Sequence, residues 1–405
     1  WPDTPEALTL QLYTRDGYLS EIHNVSRAAE PLVWSLGWEQ SRALRLPGDV
    51  RPLTSVLTPA GLTHTVTWTA DKMRYNTRHG TGGMPAVTKS CLSPGDGLPA
   101  QEVTYRYSTD SRNPGDDETV LGHNWLGCGA VFSDSEYDEN SDNLLSLRRP
   151  YHYWSEVTLK GEGDTPDTVV RRTYNRFHLM TEEKTWSAGR DCVYTQTMGY
   201  YADESRSLAE QNPLWAFPHT VTQTWQQGGA SRSETARSEY DEQTGNLLKQ
   251  TAPDGTVTTM NYYPAGGEVG RCPADPHGFE RCLKSRTVTP VRTAYGDEPV
   301  TREVHTWTDI AAKAAHRGQS GRPETVVMPH TVSTFVYLTA GTPEEHTARS
   351  SMTYQYQQGD VTARDFGRLT RQVSAFHNET SPAHPYETET GLTFTYDGAT
   401  HRQTR

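Results

Sequence analysis

The sequence predicts an all-β protein made of many short antiparallel strands, and three observations carry that prediction. Thr-rich runs ending in Tyr recur: VTYRYS at 103–108, TQTMGYY at 195–201, TTMNYY at 258–263, SMTYQY at 351–356 and LTFTYD at 392–397. β-Branched and aromatic side chains of this kind fit a pleated surface. Gly and Pro turn signals punctuate the runs, and helical periodicity is nearly absent. TDIAAKAAHRG at 308–318 is the one good helix candidate, with Thr308 or Asp309 as N-cap and Gly318 as terminator; ADESRSLAEQNP at 202–213 has room for a turn or two.

The segment YDEQTGNLLKQTAPDGTVTTMNYY, residues 240–263, shows the unit most clearly. Gly245 and Pro253-Asp254-Gly255 bracket a short strand, and a Pro-Asp-Gly group fits a tight reversal whose last position tolerates positive φ. The order read from it is strand, turn, strand, turn, strand. Strict alternation in HTVTQTW places His219, Val221, Gln223 and Trp225 on one side and Thr220, Thr222 and Thr224 on the other. Neither side is wholly apolar, as expected of a strand with two partly wet faces.

Further phrases repeat. FPHTVTQTW (217–225) returns as MPHTVSTFVY (328–337), with a weaker echo in LTHTVTW (62–68). A Gly-and-Leu opening appears in TGNLLKQ (244–250), FGRLTRQ (366–372) and RDGYLSEIHN (15–24). His219 and His330 hold equivalent places in the repeated phrase, which marks a structural position rather than catalysis. Degenerate repetition of this kind predicts an array of similar units, and composition hardly shifts along the chain, so residues 1–405 read as one continuous architecture.

Composition points to a thin layer. The chain has 405 residues, of which 34% are hydrophobic, and its mean hydropathy is -0.76. That is lean for several solid cores. Tyr (21) and Trp (10) supply much of the apolar surface, and each brings a polar group that needs a partner. The net charge of -12 has its two signs interspersed, which offers no basic footprint to nucleic acid. No apolar run is long enough to span a membrane. No signal-peptide pattern is present and the first residue is Trp1, so the sequence reads as a piece of a longer protein or a processed product.

Candidate chemistry is sparse. Cys91, Cys128, Cys192, Cys272 and Cys282 are too scattered for a disulfide framework. Cys272 and Cys282 flank PADPHGFER, and either a loop-closing disulfide or two unpaired thiols fits that spacing; with His277 they match no common zinc pattern. The acidic stretch 133–143 has carboxylates for Ca²⁺ at Asp134, Glu136, Asp138, Glu139 and Asp142, but Leu145 stands at the twelfth position and the EF-hand pattern fails. Gly266-Gly267-x-x-Gly270 lacks a phosphate-loop lysine, and no Gly-x-Ser-x-Gly nucleophile motif occurs. No cofactor or metal site is expected.

Residues 240–263 resemble the YD repeat of the RHS family: Tyr240-Asp241, the Gly245-x-Leu247 step, Asp254-Gly255, then a Thr-rich strand ending at Tyr262. Gly367-x-Leu369 and Tyr396-Asp397 repeat parts of the pattern. GHNWLGCGAVFSDSEYDENSDNLL (122–145), RRTYNRFHLMTEEKTW (171–186) and the stretch 253–290 are similar in wording and order to large bacterial RHS-repeat proteins of the insecticidal toxin-complex and polymorphic-toxin type. The resemblance implies a coiling antiparallel ribbon forming part of a hollow shell that encloses a C-terminal toxin for delivery from a bacterium. It implies as partners the toxin, the remaining shell segments of the parent or a companion chain, and a delivery apparatus. The family's aspartyl self-cleavage motif has no match here, so a non-enzymatic wall is expected. The other functional class is a carbohydrate-binding or adhesive surface protein, which exposed aromatic rings in a coplanar platform would favour.

Overall fold

The computed structural model describes residues 8–26, 30–46, 48–77, 80–95, 97–108, 142–146, 151–189, 192–291, 299–312, 324–337, 349–362, 366–376, 388–396 and 403–404. The all-β, antiparallel expectation holds: among the described residues 21 strands belong to one sheet and two more form a separate pair. The chain divides into two compact units, Trp1–Thr235 and Ala236–Arg405.

The first unit carries β1 (Leu10–Arg15), β2 (Tyr18–Asn24), β3 (Leu32–Trp38), β4 (Leu53–Leu57), β5 (Thr63–Thr77), β6 (Gly80–Ser93), β7 (Gln101–Tyr107), β8 (His152–Leu159), β9 (Thr168–Asn175), β10 (Met180–Ser187), β11 (Cys192–Tyr200) and β12 (Pro218–Gln227). Each pairs antiparallel with the next, so the unit is a meander. Its hairpins use the turns that match strand twist: Asp16 (φ 54) and Gly17 (φ 82) join β1 to β2, both in the left-handed region that a two-residue I′ turn demands.

A further strand, β13 (Ala230–Tyr240), crosses the division. The second unit continues with β14 (Leu247–Thr251), β15 (Val257–Tyr262), β16 (Leu283–Thr289), β17 (Val300–Ala311), β18 (Thr325–Tyr337), β19 (Ser350–Tyr356), β20 (Leu369–Phe376) and β21 (Thr388–Thr393), then the short pair β22 (Thr395–Tyr396) and β23 (Gln403–Thr404). From β13 to β21 it too is a plain meander.

Most strand residues are half-buried rather than buried, the signature of a sheet whose faces are each partly wet. Thr hydroxyls pair across one such face, Thr222 with Thr235 (2.8 Å), Thr224 with Ser233 (2.8 Å) and Thr306 with Thr331 (2.6 Å), as the alternation of HTVTQTW requires. The helix expected at 308–318 is not formed where it is described. Thr308–Ala311 end β17, with Ile310 buried opposite Val326; there ladder pairing overrides local helix propensity, and residues 313–323 lie outside the described residues. Leu208–Glu210 form one 3₁₀ turn with a Ser207–Glu210 capping box. Among the described residues no helix is long and apolar enough to cross a membrane.

Candidate functional site

The Tyr-ended runs share one job. Trp38 Nε1 donates to Leu19 O (2.7 Å), Trp68 Nε1 to Leu53 O (2.9 Å), Tyr107 OH to Val87 O (2.7 Å) and Tyr200 OH to Met180 O (2.9 Å). In the second unit Tyr262 OH donates to Leu247 O (3.1 Å), Trp307 Nε1 to Leu283 O (2.9 Å), Tyr356 OH to Pro329 O (2.8 Å) and Tyr396 OH to Leu369 O (2.9 Å). Each aromatic reaches back to a main-chain carbonyl of an earlier strand; Trp38, Tyr107, Tyr200, Tyr262, Tyr356 and Tyr396 end their strands, while Trp68 and Trp307 lie within theirs.

β-Bulges set up these contacts. The register slips between Gly37 and Trp38, Thr67 and Trp68, Gly199 and Tyr200, Asn261 and Tyr262, Thr306 and Trp307, and Gln355 and Tyr356. A bulge leaves an extra residue unpaired and re-aims the neighbouring side chain. The clasps are linked in series: Tyr262 lies opposite Leu283, whose carbonyl takes Trp307; Trp307 lies opposite Pro329, whose carbonyl takes Tyr356; Tyr356 lies opposite Leu369, whose carbonyl takes Tyr396. The result is an aromatic seam running from strand to strand. His219 and His330 are the skipped residues in the slips opposite Tyr200 and Trp307, which is why PHTV recurs.

The named repeat residues fall on this seam or its turns. Tyr240 lies opposite Leu247 across a bulge. Asp241 closes the turn between them: its Oδ1 accepts from Gln243 N (3.0 Å), Thr244 N (2.8 Å) and Thr244 Oγ1 (2.9 Å), while Gly245 N donates to Asp241 O (2.9 Å). Those bonds from Thr244 hold the Asp241 carboxyl below the usual carboxylate range. Gly245 has φ 73 and Gly255 φ 88, left-handed positions where a side chain is strained. A Cβ on Gly255 would also meet Val291 Cγ2 at 2.7 Å. Asp254 accepts from Thr256 N (2.9 Å) and Oγ1 (3.1 Å). Gly367 precedes β20, donating to Gln357 O (2.8 Å), and Leu369 opens it. Asp397 lies outside the described residues.

Two polar arrangements in the first unit had no sequence signal. Arg176 is fully buried. Its guanidinium donates to Glu204 O (3.1 Å), Leu144 O (3.2 Å), Leu145 O (3.2 Å) and Arg206 O, and its plane lies 3.8 Å from the Phe177 ring centroid. One side chain thus ties the 143–146 turn and the 203–206 loop to the β9–β10 reversal.

Beside it, Asp142, His178 and Tyr153 form a relay. His178 Nε2 bonds Asp142 Oδ2, and His178 Nδ1 lies 2.6 Å from Tyr153 OH. A carboxylate only accepts, so Nε2 carries a proton toward Asp142. The relay does not favour nucleophilic work by Tyr153: burial, then the Tyr174 and Asp142 charges, push its phenol well above the ordinary value, and the ring is stacked on Tyr174 at 5.2 Å and 16°. Burial pushes the Asp142 carboxyl up, but the His178 bond and charge with the Leu144 N–H outweigh it and hold the group below its usual value. A depressed carboxylate pKa adds stability above the unfolded value of about 3.9 and loses it as pH falls through the folded value. Asp142→Asn is therefore expected to flatten the acid limb of the urea-midpoint curve below about pH 4 and leave it parallel to wild type above; an unchanged acid limb would remove the relay's contribution.

Charge is also locked into the sheet. Glu156 is 5% exposed and takes Arg171 Nη2 (2.8 Å) and Nε (3.0 Å) from β9 and Arg106 Nη1 (3.3 Å) from β7, with the Arg171 guanidinium 4.2 Å from the Trp154 ring centroid. Cys272 and Cys282 are both buried free thiols. Among the described residues no group of three or more His, Cys, Asp or Glu is placed to hold a metal; residues 133–141 of the acidic stretch and Cys128 lie outside them.

No protein-family model matches the sequence, and no curated protein matches it. Solved structures similar to the chain include TcdB2-TccC3 without its hypervariable C-terminal region (10% identity, TM-score 0.32, covering 98% of this chain and 18% of that one). Another is the Photorhabdus luminescens Tc holotoxin pore (8% identity, TM-score 0.30, 97% and 19%). A porin-like protein from Bacteroides uniformis is similar over 58% of this chain (14% identity, TM-score 0.21). The chain spans about a fifth of the length of the first two.

Proposed function

We propose that this chain is a non-enzymatic segment of wall in a hollow RHS/YD-type shell that encloses a toxin domain for delivery out of a bacterium. Its partners on this reading are the toxin, the remaining shell segments of the parent protein or a companion chain, and the delivery apparatus. The observation that carries the reading is the serial aromatic seam. Eight aromatic-to-carbonyl clasps recur along the two meanders, six of them at a bulge, so the sheet lengthens by repetition and needs no solid interior. Half-wet faces suit a wall with solvent on one side and a guest on the other, and neighbour-on-neighbour pairing protects strand edges.

The sugar-binding reading asks for exposed coplanar rings. Among the described residues the nearly parallel ring pair is Tyr153–Tyr174, and Tyr153 is buried; the more exposed Trp225 is tilted 47° from Tyr194. The test is small-angle scattering from the intact parent protein. A hollow shell gives the pronounced oscillation of an empty-centred particle, whereas the smooth decay of a string of solid domains would overturn the proposal.

A further inference from the structure

The lobe between β15 and β16, residues 264–281, carries Cys272 at its middle, and the fold brings it to Cys282, the residue that follows the lobe. Cys272 and Cys282 are 5% and 6% exposed and pack in one cluster with Tyr263, against which Trp307 and Val327 also lie. The backbone holds both ends of the lobe. Tyr263 N donates to Cys282 O (2.8 Å), Cys272 and Glu268 exchange N–H to carbonyl bonds at 2.9 and 2.8 Å, and Trp307 N donates to Arg271 O (2.7 Å). The residues between are ordered around Asp275, whose carboxylate accepts from His277 N (2.8 Å), Phe279 N (3.2 Å) and Arg281 Nε (2.6 Å). Glu268 reaches Lys284 of β16 at 2.6 Å, a second strap across the same seam.

We propose that Cys272 and Cys282 are a redox pair that closes to a disulfide under oxidising conditions and fastens the 264–281 lobe to the start of β16. The oxidant class is a small-molecule disulfide. One cysteine thiolate attacks it and releases one thiol, the second cysteine thiolate displaces the other, and two protein thiols plus one disulfide become one protein disulfide plus two small thiols. Burial, then the neighbouring Cys282, push the Cys272 thiol up to about 12, and burial also raises Cys282. Thiolate is the reactive form, so closure is slow, and the buried bridge is slow to exchange in turn. The inference is independent of the shell reading.

The test is incubation of the folded chain with oxidised glutathione, alkylation of remaining thiols under denaturing conditions, and trypsin digestion without reductant. Cleavage after Arg271, Arg281 and Lys284 separates peptides 272–281 and 282–284, which stay joined only if the bridge has formed. The expected result is the joined pair lighter by two hydrogens, a rise in Tm that dithiothreitol reverses, and loss of that dithiothreitol response in Cys272→Ser and in Cys282→Ser. Exposed Cys192 reports that the oxidant acted. Recovery of peptides 272–281 and 282–284 separately alkylated while Cys192 carries glutathione, or linkage of either cysteine to a different one, would overturn the proposal.

Discussion

Arg176→Met is expected to destabilise the first unit by about 3–5 kcal/mol, the range for removing one partner from a buried, hydrogen-bonded charge site. Two effects add. The Glu204, Leu144 and Leu145 carbonyls each lose a donor, while Arg206 O keeps Gln211 Nε2 at 3.0 Å, and an orphaned buried acceptor costs about 1–3 kcal/mol unless water reaches it. The Phe177 face also loses its cation. Arg176→Lys should recover less than half of the loss, because an ammonium is a point charge and cannot reproduce a planar fork serving four acceptors. Burial pulls the Arg176 pKa down, opposed by Glu204 and Asp203, yet a guanidinium starts so high that it stays charged. Urea denaturation measures the loss, and limited proteolysis within 203–211 should accelerate in step with it. A midpoint shift worth under about 1 kcal/mol would mean that water already serves those carbonyls.

The physical reason this arrangement escapes a reading of the sequence is plain. Arg176 is held by main-chain carbonyls, which every residue type supplies, and its partners lie some thirty positions away on either side. The Asp142–His178–Tyr153 relay likewise joins residues 36 and 25 positions apart. What local chemistry can specify was visible: the Thr alternation of β12, the left-handed glycines 245 and 255, and the recurrence of PHTV, which proves to be a stretch of strand opposite a bulged aromatic. The Tyr endings were visible as a pattern but not as a mechanism. Their role depends on a carbonyl 15 to 27 residues earlier, and Trp38, Trp68 and Trp307 take the same role with an indole N–H. Thr308–Ala311 show the opposite failure, the start of a local helix pattern that is instead paired with β18.

Removing Trp307 tests the seam most directly. Trp307→Ala is expected to cost about 3–5 kcal/mol, the usual range for truncating a large packed aromatic, since the indole packs on the Tyr263, Cys272 and Cys282 cluster and clasps Leu283. Trp307→Phe keeps most of the bulk and drops the N–H, so its cost should be nearer about 1–2 kcal/mol. The informative measurement is a double-mutant cycle with Tyr356→Phe. Trp307 faces Pro329, and the Pro329 carbonyl is the acceptor for Tyr356, so the two clasps share a residue. A coupling of about 0.5 kcal/mol or more is expected between them. Between Trp307 and Tyr396, which share none, the same cycle should return additivity. Equal coupling in both cycles would mean that the sheet responds as one packed body, and additivity in both would mean that each aromatic merely fills its own space. Only the graded result, strong between neighbours and absent beyond, corresponds to a ribbon stabilised link by link, and that graded result is what allows such a sheet to be extended without a core.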